Sequence, residues 1–296
     1  EQKRRRKMQQ RMVLGLLALI VVLALVLIVR GCRAKPATTP VEPSVPEEPV
    51  TTPTEPEADS VVQLTAVGDI MIYDDIRAAA QTSEGVYDFS DCFSAVAAYT
   101  MGADLTVGNL ELNFCGAPYA GKPDFRAPEA LAGTLRDIGF DVLQTANTYS
   151  IQSGMTGLSG TISALDAVGI DHVGTYATQA ERDASGGVLV KTVNGVRIAF
   201  IAFTKGVNNL TLPEGSEFAV DLLYTDYDSD YSKVAQDAIV QTVKNAVATD
   251  ADIVIAMLHW GSEYDNTLTD TQKKIETLLL ENGVDVILGS HSHVVG

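Results

Sequence analysis

The stretch Ala251–Gly296 reads ADIVIAMLHWGSEYDNTLTDTQKKIETLLLENGVDVILGSHSHVVG. Asp252–Leu258 is an apolar, β-branched run with the length of a strand. Thr271–Glu281 then carries apolar residues at i, i+3 and i+4 spacing, so it is expected to be a helix with one buried face, and Thr269 is placed to cap it. Val284–Leu288 is a second apolar strand. Strand, helix and strand in succession point to an α/β domain with buried, largely parallel strands. Each strand runs straight into histidine: His259 after the first, His291 and His293 after the second.

Working outward, the same alternation extends back to Val61. Val61–Val67, Ala103–Val107 and Asp141–Ala146 are read as strands, and Gly187–Thr204 as a hairpin turning at Asn194-Gly195, where both positions tolerate positive φ. Leu131–Ile138, Thr156–Val168 and Tyr231–Ala248 have helical spacing, with Asp230 as an expected N-cap for the last. Polar residues again gather at strand ends. Asp69 follows the first strand, Asn109 and Glu111 the second, and Asn147 the third. In open α/β sheets, sites form at the carboxyl ends of strands, so these residues are expected to converge there with the histidines. Carboxylates and imidazoles together suit zinc, manganese or iron. The competing reading is that they are polar loop residues capping strands and helices.

The 296 residues carry a formal charge of −17, distributed unevenly. Residues 61–296 hold 12 Lys/Arg against 31 Asp/Glu, an acidic balance that argues against nucleic acid as the main partner. The first 35 residues are basic instead, and within them Met12–Val29 is an uninterrupted apolar run of 18 residues. At 1.5 Å per residue this spans roughly 27 Å, about the thickness of a bilayer core. Lys3, Arg4, Arg5, Arg6, Lys7 and Arg11 precede it and only Arg30, Arg33 and Lys35 follow it closely. The positive-inside rule therefore places residues 1–11 in the cytoplasm, 12–29 in the membrane and the remainder outside. An uncleaved anchor is preferred to a signal peptide, because no small-residue cleavage site follows Val29. Cys32 is read as a juxtamembrane thiol, since Arg30 does not suit a lipidation site. Residues 30–60 hold seven of the 11 prolines and almost no large apolar group, so they are expected to be an unfolded, extended linker. Cys92 and Cys115 are left as either a disulfide or two free thiols.

Five ordered segments then carry a resemblance. TAVGDIMIYDDI (Thr65–Ile76), ADLTVGNLE (Ala103–Glu111), FRAPEALAGTLRDIGFDVLQTAN (Phe125–Asn147), LHWGSEY (Leu258–Tyr264) and GSHSHVV (Gly289–Val295) resemble the motifs of the CapA-type capsule, or poly-γ-glutamate, biosynthesis family. That family is of the calcineurin-like metallophosphoesterase fold, so the resemblance implies a sandwich of two β-sheets flanked by helices over residues 61–296. It also implies that the domain continues past Gly296, as the start at Glu1 rather than Met suggests for the other end. By the same resemblance two divalent ions (Mn, Fe or Zn) are expected. Asp69 and His293 would hold the first and His259 and His291 the second, with Asn109 or Glu111 in the bridging region and Asn147 as a substitute ligand. His259 and Glu263 are the expected catalytic groups, and Arg126, Tyr149 and Trp260 the expected substrate contacts.

The third motif departs from the family pattern Ala-Asn-Asn-His-x-Leu-Asp-x-Gly. Here it reads ANTYSIQSG (Ala146–Gly154), with Thr148, Tyr149 and Gln152 in place of Asn, His and Asp. Met71 likewise stands where the parent fold has His. Thr148 is a poor neutral ligand, and a tyrosine with an ordinary pKa of about 10 is no general acid near neutrality. Two functions follow as expectations. One is a metal-dependent hydrolase in synthesis or export of a capsule-type polymer at the cell surface. The other is a non-catalytic protein that binds an anionic surface polymer or its synthesis machinery.

Overall fold

The computed structural model describes residues 60–296. The expected cytoplasmic stub, membrane anchor and linker lie outside the described residues, apart from Ser60. Among the described residues no helix is long and apolar enough to cross a membrane.

The strands are β1 (Leu64–Ile70), β2 (Gln81–Ser83), β3 (Val86–Tyr87), β4 (Leu105–Leu110), β5 (Val142–Gln144), β6 (Asp171–Val173), β7 (Leu189–Val193), β8 (Val196–Thr204), β9 (Ile253–His259) and β10 (Val286–Ser290). The helices are α1 (Asp74–Ala80), α2 (Ser90–Phe93), α3 (Ala97–Thr100), α4 (Ala130–Asp137), α5 (Gly154–Val168), α6 (Gln179–Ser185), α7 (Gln236–Val247) and α8 (Asp270–Asn282). One sheet runs β1-β4-β5-β6, all parallel. A second runs β10-β9-β8-β7, parallel except for the β7–β8 hairpin. The expected mixed α/β fold is present.

Alternation along the strands builds the layers, because successive side chains point to opposite faces. Leu105, Val107, Val142 and Val173 of the first sheet pack against Ile198, Phe200, Ala202, Ile255 and Met257 of the second. The intervening residues face outward onto helices. Leu110 and Leu143 meet Leu131 and Leu135 of α4 and Leu165 of α5, while Ile201, Phe203, Ala256 and Leu258 meet Ile239 and Val243 of α7 and Ile275 and Leu279 of α8. Burial on both faces explains why β8 and β9 read as continuous apolar runs. Each fully buried Leu, Ile or Phe contributes about 1.5–3 kcal/mol, so this core fixes the sheets that carry the site.

The structure corrects several boundaries. β1 and β4 run through Gly68-Asp69 and Gly108-Asn109 to Ile70 and Leu110, so Asp69 and Asn109 are last-turn strand residues paired in register. The helix expected from Tyr231 starts at Gln236, and Asp230 does not cap it. The Asp226 carboxylate accepts the backbone N–H groups of Ser232 and Lys233, and Tyr231 adopts a φ of 50°, which holds the chain in a turn instead. Thr269 does cap α8, in a box closed by Gln272. The sequence reading missed α6, which opens on an equivalent Thr178–Glu181 box, and the three-residue β6. Cys92 and Cys115 are free thiols.

Candidate metal centre

The parity of the strands decides which side chains reach the carboxyl edge between the sheets. Leu105 and Val107 face the inter-sheet core, so Asn109 and then Glu111 do too. On β9 the same rule carries Ile255 and Met257 forward to His259. Asp69 would come out on the wrong face of β1 without a correction. Ala66 pairs with Val107 and Asp69 with Asn109, so β1 spends three residues where β4 spends two. This bulge at Val67-Gly68 turns Asp69 inward beside Asn109. His291 and His293 arrive from the loop after β10, both at positive φ (93° and 54°). The β8 strand end adds Thr204, paired in register with His259.

A chain of amides orients the carboxylates. Asn147 Nδ2 donates to the Leu110 carbonyl (2.7 Å) and to Asn109 Oδ1 (3.0 Å). Asn109 Nδ2 therefore faces the acids, donating to Asp69 Oδ1 (2.7 Å) and Glu111 Oε2 (3.3 Å). Asn147 Oδ1 accepts from the Tyr149 backbone N–H at 3.1 Å. Each amide oxygen thus accepts one hydrogen bond with one of its two lone pairs, and the two amides hold the carboxylates in place. Asp69 also accepts from the His291 backbone N–H and sits 2.9 Å from His293 Nδ1.

Glu111, His259 and His291 converge most closely. One ligand atom from each lies within 4.8 Å of the others, and all three residues are buried. Thr204 settles the tautomer of His259. Its hydroxyl gives its single proton to the Gly206 carbonyl (3.0 Å), so at 3.4 Å from His259 Nδ1 it can only accept. The proton is then on Nδ1, and the bare Nε2 faces Glu111 Oε2 at 3.1 Å, out of line for a hydrogen bond. Two electron-rich atoms so placed need a cation between them. A proton would satisfy two such atoms, but His291 Nδ1 is a third, also buried without a partner. Two imidazole nitrogens and a carboxylate fit a first-row divalent metal.

The electrostatics agree. Burial pushes the Glu111 carboxyl up to about 7, against the pull of His293 and of hydrogen bonds from Thr148 and Asn109. Burial drives His291 down to about 3, with His259 and Lys205 adding repulsion, and burial likewise holds His259 well below the ordinary range. The cluster keeps its imidazoles neutral, which is the form that ligates.

Other expected site residues are placed differently. Tyr149 packs on Phe125 (ring centroids 4.5 Å apart), and burial, then the charges of Glu111 and Glu263, raise its hydroxyl to about 12. Glu263 is exposed on the loop after β9 and makes no hydrogen bond to the cluster, but its charge acts on Glu111 and His259. Arg126 turns to the Pro118 carbonyl (3.3 Å) and leaves Nε buried without a partner. Trp260 is 8% exposed and packs into the core between the second sheet and its helices, on the face opposite His259. It also lines a cavity with Gly261, Gln272, Gly289 and Ser292. Sequence reasoning missed Thr204, although its place at the end of an apolar strand beside the His259 strand was a usable signal.

The family profile described as "Bacterial capsule synthesis protein PGA_cap" matches residues 63–296, most of the chain. The chain belongs to this family. The chain is also similar to "Capsule biosynthesis protein CapA" of Bacillus anthracis, 26% identical over 243 residues, covering 78% of this chain and 54% of that protein. "PGA biosynthesis protein CapA" of Bacillus subtilis (strain 168) is 25% identical over 240 residues, covering 80% and 59%. "Uncharacterized protein y4uA" of Sinorhizobium fredii is 30% identical over a shorter 148 residues, 47% of this chain and 29% of that one. The chain thus spans somewhat over half the length of the two CapA relatives. The PGA_cap match contains every strand that carries the site.

Proposed function

We propose that this domain acts in synthesis or export of a capsule-type anionic polymer, of the poly-γ-glutamate kind or related to it, as a metal-dependent hydrolase at the outer cell surface. The observation that carries the reading is the bare, buried His259 Nε2 turned on Glu111 beside an equally bare His291 Nδ1. The family membership and the names of the two Bacillus relatives support the capsule setting.

Glu111, His259 and His291 would hold one Mn, Fe or Zn, and Asp69 with His293 would contribute to a second. Such an ion supplies Lewis acidity toward a phosphoryl or carbonyl oxygen. The protein's own residues do the rest. Thr204 fixes the His259 tautomer, Asn109 holds Asp69 and Glu111 together, and Asn147 aligns Asn109. Tyr149 keeps its proton across the physiological range, so it is a hydrogen-bond donor to an anionic oxygen rather than a proton shuttle. The Met12–Val29 segment would anchor the chain with the domain outside, which protease treatment of intact cells would check.

The test is elemental analysis of purified protein after incubation with Mn, Fe and Zn in turn. Stoichiometric metal, lost in His291→Ala together with phosphodiesterase or amide-hydrolase activity, is the expected result, and protein that retains none of the three sinks the reading. One observation favours the alternative of a non-catalytic polymer-binding protein: Tyr149, raised to about 12, stands where the family has histidine. Metal retention with no hydrolysis by the wild-type chain, and hydrolysis gained in Thr148→Asn/Tyr149→His, would select that alternative.

A further inference from the structure

We propose that Lys205, with the loop it opens, forms an anion subsite beside the Glu111–His259–His291 cluster, where its ammonium receives a phosphate or carboxylate oxygen of the substrate. The proposal rests on the reading of that cluster as a metal centre acting on an anionic polymer.

Lys205 is the first residue past β8, and the pairing of Thr204 with His259 puts it on the same sheet edge as the cluster. Its backbone N–H donates to the His259 carbonyl at 2.9 Å, which ties it to the ligand strand. The side chain is half-buried. Nζ donates to the Gly261 carbonyl (2.8 Å) and lies 5.1 Å from the centroid of the Tyr231 ring. Its positive charge acts on both His259 and His291. Among the described residues no carboxylate comes within ion-pair distance of it, whereas Arg77, Arg136, Arg182, Lys191 and Lys273 each have one. The charge of Glu263 acts on it only from beyond that distance, and in a region with 31 acidic groups to 12 basic ones a half-buried ammonium with no carboxylate in contact is costly. A ligand oxyanion supplies that contact, and Nζ has donors to spare because the Gly261 carbonyl takes one of its three.

The loop is built to hold this position. Asn208 and Asn209 both adopt left-handed φ (58° and 55°). Asn208 Nδ2 donates to Gln152 Oε1 (2.8 Å), and Asn209 Oδ1 accepts from the Tyr231 hydroxyl (3.1 Å). Gln152, one of the departures in the third motif, is thus what the loop docks on. The ring that flanks the ammonium is steadied by the same loop, so little is left to organise when an anion arrives.

The experiment uses the full chain in detergent, as wild type, Lys205→Met and Lys205→Arg. Manganese uptake is measured first, then binding of inorganic phosphate and of glutarate, each by calorimetry. Lys205→Met should take up manganese as the wild type does, yet bind at least one of the two anions about tenfold more weakly, as expected for a lost charge-assisted hydrogen bond, while Lys205→Arg stays within about threefold. The anion that responds names the substrate group as phosphate or carboxylate. Equal affinity of Lys205→Met and wild type for both anions overturns the proposal, as does a metal-loaded wild type that binds neither. If the wild type holds no manganese, the metal reading fails separately, and the same comparison in chelator still decides the role of Lys205. Should Lys205→Met fail to fold, Lys205→Gln keeps a donor for the Gly261 carbonyl and carries the same expectations.

Discussion

Asn109→Asp replaces one amide nitrogen with oxygen and changes almost nothing in shape. In the folded chain that nitrogen donates at 2.7 Å to Asp69 and at 3.3 Å to Glu111, and it is fully buried. A hydrogen bond to a charged group contributes about 1.5–3 kcal/mol, and the longer contact is counted at about 1 kcal/mol. The substitution also brings a third carboxylate against the first two, worth up to about 4 kcal/mol at 4 Å in an environment of moderate polarity, although uptake of a proton would relieve part of it. The contact from Asn147 survives, since an aspartate oxygen accepts as well as the amide oxygen did. The expected loss is therefore about 3–6 kcal/mol in metal-free protein. Urea unfolding at pH 8 in chelator measures it. Saturating manganese should restore most of the loss, because a bound cation turns the added charge from a liability into a ligand. An Asn109→Asp chain within about 0.5 kcal/mol of wild type in chelator would refute the amide relay. A full loss that manganese does not reverse would refute the claim that the acids face a cation site.

Three further outcomes are expected. Thr204→Val keeps the side-chain shape but removes the acceptor for His259 Nδ1–H, so manganese affinity should fall about 10–100-fold in a direct titration. Phe200→Ala opens a hole between the sheets at a fully buried position and should cost about 3–5 kcal/mol in urea unfolding. Burial raises Asp221 from its usual 3.8 to about 6 despite the Arg182 guanidinium at 2.9 Å, so the folded state binds this proton more tightly than the unfolded chain. That contribution to stability is complete below about pH 4 and is lost as pH rises through about 6, so wild type should lose ground to Asp221→Asn across this window when melts are compared.

The fold was legible where the chemistry is periodic. Strands β8 and β9 were visible as apolar runs because they are buried on both faces, β10 as a short apolar run although its edge position leaves Val286 and Gly289 exposed, and α8 because Thr269 closes a capping box. The turn at Asn194-Gly195 appeared where expected, with both residues at positive φ. What escaped was either short, as with β6, or decided by competition, as with Asp226 drawing the Tyr231–Ala235 segment away from a helix. The site followed the same division. Which residues reach the sheet edge could be read from strand ends, and Asp69, Glu111, His259, His291 and His293 do meet there. Which of them offer a free lone pair could not. That depends on amide and hydroxyl orientations set by partners distant in sequence, such as Leu110 for Asn147 and Gly206 for Thr204.

The bulge at Val67-Gly68 gives β1 something like a reading frame. Its one extra residue sets the phase in which every later side chain of that strand is displayed. Point changes in β1 alter one letter of the message, but losing or gaining a residue there shifts the phase and sends Asp69 to the helix side while Ile70 turns toward the histidines. Composition, helix content and the rest of the core would all survive such a shift. In this family, then, gaps in the first strand should be weighed more heavily than substitutions when the competence of a site is judged from sequence.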